Sequence, residues 1–237
     1  MPEDMITRLD AMVSKDGEVV PFHKTIDIMH GMSVKEWLKQ LEANMKNTLA
    51  ILLEQAVTED SSSEMVEGDE GKKKFVEWAT KFPAQVMILA TQINWSMGVD
   101  EALRSDDSKT GLAAKLKSLE WKLSVMAETV LMELPPDHRK KFEQMITELV
   151  HQRDVVRDLM EESVSTANDF RWLYHLRYSY NPQEPDLSKK LMISLSNATF
   201  YYGFEYLGIG ERLVQTPLTD KAYLTLTQAL HFRMGGS

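Results

Sequence analysis

Four long stretches of this chain place an apolar residue at every third or fourth position, and prolines punctuate them. That spacing is the period of an α-helix with one buried face, so the chain must solve the problem of packing long helices against one another. The first stretch opens with Ser33-Val34-Lys35-Glu36, a capping box in which serine and glutamate satisfy each other's free amides. It carries Trp37, Leu38, Leu41, Met45, Leu49 and Leu53 to an expected end near Val57. Thr58 to Gly71 is acidic, holds three consecutive serines, and reads as an exposed loop. A second stretch begins near Lys72 and is interrupted by Pro83, which is expected in the first turn of the next helix. Val86, Leu89, Ile93 and Trp95 continue the pattern, and residues 98–111 read as a loop. Leu112 to Leu134 is a third helical stretch. Pro135-Pro136 starts a fourth, which runs to about Met160 with Phe142, Ile146, Leu149, Val156 and Leu159 facing inward.

The two ends differ in character. Ala11–Ser14 and Glu18–Phe22 flank Lys15-Asp16-Gly17, a hairpin signal because Asp-Gly provides the positive φ of a tight turn; Thr25–Met29 alternates again. After Asn168 the chain is aromatic, with Phe170, Trp172, Tyr174, Tyr178 and Tyr180. Leu191–Ser196 and Thr199–Tyr206 read as strands joined at Asn197, and Thr219-Asp220 is expected to cap a last helix over Lys221–Phe232. The expected fold is therefore mainly α: an elongated multi-helix bundle with a small N-terminal β-hairpin region and a C-terminal α+β segment. The boundary falls between a helical portion, residues 1–168, and a C-terminal portion, residues 169–237.

Composition narrows the possible functions. The formal charge is −9 over 237 residues, which argues against a nucleic-acid partner that would need a basic stripe. Lys72-Lys73-Lys74 and Arg139-Lys140-Lys141 both read as solvated surface. No apolar run approaches the roughly 18 residues of a membrane span. The chain has no cysteine, so disulfides, thiolate metal sites and cysteine nucleophiles are all excluded. Fifteen Met and five Trp point to broad, adaptable apolar contacts.

Local chemistry offers no catalytic centre. His151, Arg153 and Asp154 resemble a kinase catalytic triplet, but Gln152 splits it, and neither a glycine-rich loop nor Asp-Phe-Gly accompanies it. A helix face is the simpler reading, with Asp154 pairing with Arg157 and Arg157 with Glu161. The carboxylates between Glu59 and Glu70 lack calcium-loop spacing, and the six histidines form no metal-ligand pair, so no metal site is expected. Gly203, Gly208 and Gly210 match no phosphate-binding pattern.

The end of the chain is more specific. Tyr202–Gly208, Leu213–Asp220 and Tyr223–Leu230 together resemble the entry into the first AAA+ module of dynein heavy chains. Upstream, Ile146–Val155 is similar to the cytoplasmic type more than to axonemal types. Pro83–Val86 and Gln92–Ser96 resemble the family's linker helices. The resemblance implies a mechanical linker whose shape changes as ATP is bound and hydrolysed in the AAA+ ring, driving minus-end-directed movement along microtubules. It implies ATP and magnesium as cofactors of a full-length heavy chain. It also implies the ring, dynein intermediate and light chains, dynactin and microtubules as partners, and a place in the cytoplasm on the microtubule cytoskeleton. Leu213, Val214, Pro217, Leu218 and Thr219 would then lie beside the adenine. In the family, Gly-Gly-Ser leads into the Walker A loop; here Gly235-Gly236-Ser237 closes the sequence, so this chain is not expected to hydrolyse ATP alone. The competing reading is a helical adaptor or scaffold that binds a partner through a bundle face.

Overall fold

Ser33 and Glu36 start the first long helix as their spacing predicts. The Glu36 carboxylate accepts from the Ser33 amide at 3.0 Å, and the Ser33 hydroxyl accepts from the Glu36 amide at 3.3 Å. The Ser33 amide, and after it the Ser33 hydroxyl donating at 2.9 Å, hold the Glu36 carboxyl below its usual range. The computed structural model describes residues 8–28, 31–62, 68–208 and 215–235. Within them run helices α1 (Val34–Ser62), α2 (Asp69–Lys81), α3 (Ala84–Arg104), α4 (Ser108–Val130) and α5 (Pro136–Glu161). A short α6 (Phe170–Leu173) and a C-terminal α7 (Pro217–His231) follow.

The N-terminal hairpin pairs β1 (Arg8–Val13) with β2 (Val19–Asp27) in antiparallel register. Gly17 takes φ +90° at the turn, as the Asp-Gly signal requires. Val20, Phe22 and Ile26 alternate inward from β2 and are buried. A second antiparallel sheet has the order β3-β4-β5, with β3 at Arg177–Tyr180, β4 at Leu191–Leu195 and β5 at Ala198–Tyr201. The mainly α architecture with β elements at both ends is thus the expected one.

Several boundaries move, each for a visible reason. Helix α1 continues past Val57 to Ser62, which takes Glu59 and Asp60 out of the expected loop. Asp60 is fully buried there: Asn94 of α3 donates to its carboxylate, and the Lys122 ammonium of α4 lies 3.5 Å away. Pro83 is not in the first turn of α3 but caps it in an extended conformation, and its carbonyl accepts the first helical bond from Met87 at 2.9 Å. Residues 98–111 are almost wholly helical. Val99, Ala102 and Leu103 are buried and prolong α3, and Asp107 accepts from the Thr110 amide to cap α4 after a three-residue break. Helix α4 stops at Val130 rather than Leu134, where the Arg139 guanidinium takes the Val130 and Met132 carbonyls at 2.7 and 3.2 Å. The last strand ends at Tyr201, not Tyr206, and α7 begins at Pro217, four residues before the expected start.

Helix α3 forms the middle of the molecule. Val86, Met87, Ile88, Leu89 and Ala90 are consecutive and all buried, so every face of this helix is covered over that stretch. Helices α1 and α4 flank it, and β3 docks on it through a bond from the Tyr178 amide to the Ser96 hydroxyl at 3.0 Å. Trp172 is completely buried, packs edge-on against Trp95 of α3, and donates to Asp100 at 2.6 Å. Some polar groups inside are paired, one bond crossing from α3 to α5 and another closing within α5. Gln92 of α3 and Gln152 of α5 both donate to the buried Glu148 at 3.0 Å.

Removing the carboxylate that faces the buried Lys122 ammonium should be costly. Asp60→Ala is expected to lower the unfolding free energy by roughly 3–5 kcal/mol, while Asp60→Leu combined with Lys122→Met should recover most of it. Urea denaturation followed by circular dichroism measures both, and a loss below about 1 kcal/mol for the single variant would mean the pair does not hold these helices together.

Candidate functional site

The residues expected beside a nucleotide lie at the start of α7. Thr216 is its N-cap: the Thr216 hydroxyl accepts from the Thr219 amide at 3.3 Å, and the Thr219 hydroxyl accepts from the Thr216 amide at 2.7 Å. Pro217 takes the first helical position, where its missing N–H costs nothing. The cap is therefore Thr216, not Thr219-Asp220, because a hydroxyl on either side of Pro217-Leu218 closes the reciprocal box. Pro217 and Thr219 are engaged in starting the helix, and Leu218 stands 77% exposed. Leu213 and Val214 lie outside the described residues.

No residue of α7 is buried. Its polar side reaches the second sheet through Gln228, which donates to the Leu195 carbonyl at 2.8 Å. Leu218, Ala222, Leu226 and Leu230 recur every four residues and form a stripe on the helix; all are exposed, Leu226 to 53% and Leu230 to 66%. Phe232, also exposed, follows it.

Residues 202–208 run from β5 without strand pairing, and side chains hold them. Gln85, at the start of α3, donates through Nε2 to the Tyr202 hydroxyl and the Glu205 carbonyl, both at 2.7 Å. Its Oε1 accepts from the Leu207 amide at 2.8 Å. Glu18, beside the hairpin turn, accepts from the Ala84 amide through Oε1 at 2.8 Å. The Tyr206 hydroxyl is shared between the Glu18 carbonyl at 3.0 Å and Oε2 at 3.1 Å. Burial, and after it the Glu18 carboxylate, pushes the Tyr206 phenol well above its usual range. Phe204 is 2% exposed, and its φ of +50° lies in the left-handed region that bulky side chains avoid. Gly208 has φ +65°, and a Cβ there would fall 2.2 Å from that of Ser14.

Lys141 of α5 lies beneath the same junction. It is 5% exposed, not the surface residue that its basic neighbours suggest, and its ammonium donates to the carbonyls of Thr80, at 3.1 Å, and Phe82. Burial pushes its pKa down to about 8, while Glu18 and Asp137 pull the other way. The adjoining cleft, about 590 Å³, is lined by Glu18, Asp137, Lys81 and Lys141 among others, so both signs of charge balance in it. Neither Gln85 nor Lys141 carries a signal in its immediate sequence. Their partners are backbone groups remote along the chain.

The His151–Asp154 segment forms no site. His151 lies against Trp95 and His175, with ring centroids 6.3 Å away in each case, and Gln152 is fully buried. Burial, and then His151, pushes His175 down to about 4. Arg153 pairs with Asp154 at 2.7 Å, while Arg157 reaches Glu120 of α4 at 2.6 Å; the Asp154–Arg157 and Arg157–Glu161 pairs expected from spacing give way to these. Among the described residues, no group of three His, Cys, Asp or Glu is placed to hold a metal, and no helix is long and apolar enough to cross a membrane.

The comparisons give this geometry a context. Residues 202–237, which include the strap 202–208 and α7, match a family model described as the hydrolytic ATP binding site of the dynein motor region. The chain resembles motor-protein heavy chains. It is 47% identical over 99% of its length to the cytoplasmic dynein heavy chain of Dictyostelium discoideum, and 44% identical over 95% to that of Paramecium tetraurelia. Similarity to axonemal heavy chain 1 of Homo sapiens is lower, 34% over 95%. In each case the chain spans about 5% of the relative's length. It belongs to the dynein heavy chain family and is most like the cytoplasmic members among these.

The buried Lys141 makes a signed expectation possible. Its folded pKa, about 8, is below the ordinary 10.5, so burial penalises the charged form in the folded state. That penalty is fully present below pH 8 and disappears as pH rises to 10.5, because the unfolded chain binds more protons in that window. Relative to Lys141→Met, the wild type should gain about 3 kcal/mol of stability between pH 8 and 10.5. Parallel denaturation series on the two proteins measure this, and parallel curves across the window would rule it out.

Proposed function

We propose that this chain is the ring-proximal part of the dynein linker, running into the first AAA+ module of the motor. Residues 1–168 form the lever and residues 169–237 the passage into the ring. In a full-length heavy chain carrying this segment, ATP binding and hydrolysis in the ring bend and straighten the lever, and minus-end-directed movement along microtubules follows. The ring itself, intermediate and light chains, dynactin and microtubules are the partners of that protein, and its setting is the cytoplasmic microtubule cytoskeleton. ATP with magnesium is its fuel. In this reading Leu213, Val214, Pro217, Leu218 and Thr219 form the apolar edge beside the adenine.

One observation carries the proposal. The region that matches the motor's ATP-binding family begins at residue 202, and within it α7 presents an unburied stripe of Leu218, Leu226 and Leu230. The rest of the chain, by contrast, is a well-filled bundle. A helix with nothing buried gains little from its own body, and its stripe fits burial within a larger module.

The isolated 237-residue chain should show no tight magnesium-ATP binding by isothermal titration. In a full-length heavy chain, Leu226→Asp combined with Leu230→Asp should lower ATP turnover at least tenfold, because each charge would be buried unpaired. Tight nucleotide binding by the isolated chain, or unchanged turnover in the double variant, would overturn the assignment.

A further inference from the structure

We propose that Gln85 and Glu18 are positioning residues forming a side-chain latch on residues 202–208, so that the strap can be released and re-seated while the helical bundle stays folded. The latch stands on the contacts themselves; its use in a motor rests on the function proposed above.

The kind of bond matters first. Backbone held in a β-ladder is released only by breaking a cooperative row of amide bonds. Beyond Tyr202, whose amide donates to the Leu191 carbonyl at 3.0 Å, the ladder ends. From there a single glutamine grips the strap in both senses, accepting from the Leu207 amide and donating to the Glu205 carbonyl. One carboxylate then joins three parts. Glu18 caps α3 at Ala84, belongs to the hairpin, and receives the Tyr206 hydroxyl. Rotation of two side chains, with withdrawal of the Phe204 ring, would free this backbone, and water could replace the polar partners because Glu205 and Leu207 are exposed.

The backbone is also poised. Phe204 is buried between α1 and the turn at Leu187, beside Ala43 and Asn47, yet holds φ +50°. Such a conformation persists in a bulky residue only where its surroundings over-determine it, and it relaxes once the ring leaves its slot. Gly208 marks the far end, seated against Ser14 where no side chain fits. Two anchors, one strained and one sterically exclusive, thus bracket the glutamine clasp. Helices α3, α4 and α5 are packed through their own buried apolar residues, and from the strap Phe204 joins that core with Tyr202 and Tyr206 packed against it.

Hydrogen–deuterium exchange on the full 237-residue chain, read by mass spectrometry, tests the latch. In Gln85→Ala, peptides covering residues 202–208 should exchange about tenfold faster, with α4 and α5 unchanged. Gly208→Ala should give the same local pattern by pressing on Ser14, without touching Gln85. Unchanged strap protection in both variants overturns the latch. So does loosening of α4 and α5 together with the strap, which would make it part of the core. The role in a motor is read separately, by placing Gln85→Ala in a full-length heavy chain and measuring microtubule-stimulated ATP turnover and gliding velocity. A velocity drop at preserved basal turnover supports that role. A loosened strap with unchanged velocity overturns the role, and the latch as a structural device stands. Failure of the proposed function would appear differently, as tight ATP binding by the isolated chain.

Discussion

Burial of α3 on every face from Val86 to Ile93 is the constraint on which the rest of the structure depends. A helix whose consecutive residues Val86 to Ala90 are all inside cannot be stabilised by one partner. It needs α1 on one side, α4 on another, and the second sheet laid against Ser96, where the Tyr178 amide docks. The amphipathic helices around it each supply one apolar face, and the N-terminal hairpin closes the end through Glu18 and Ala84. Because α3 begins at the clasp for the strap, the start of this buried helix also meets the start of the motor-family segment.

The helices were legible because a 3.6-residue period survives in the sequence wherever one face is wet. The capping box at Ser33 and Glu36 and the hairpin glycine at Gly17 were legible too, since both are local devices. Reading failed where tertiary contacts override local composition. Thr58 to Asp60 looks like loop, yet Asp60 is helical and buried because Asn94 and Lys122 answer its charge from two other helices. Residues 98–104 read as loop because small and charged residues dilute the stripe, although Gly98, Val99, Ala102 and Leu103 still bury one face while Glu101 and Arg104 face outward.

The candidate site divides in the same way. The family resemblance of the last seventy or so residues could be read from the sequence, and the comparisons bear it out. The contacts that seat those residues could not. Gln85 meets Glu205 and Leu207 across some 120 residues, and Lys141 meets Thr80 and Phe82 across about 60. Pairings of that range leave no periodic trace. Lys141 was hidden twice over, by a surface-like run of basic residues and by backbone partners that any sequence would supply.

The buried polar pairs have a mechanical meaning beyond stability. Asp60 joins α1 to α3 and α4, and Glu148 joins α5 to α3, so these bonds run across the helices and not along them. A bundle held by apolar contacts alone can flex as a stack of loose planks does, each helix slipping along its neighbour. Dowels through the stack forbid the slip, and a doweled beam is far stiffer than the sum of its planks. Asp60 and Glu148 are placed as such dowels. They oppose shear between the helices they join.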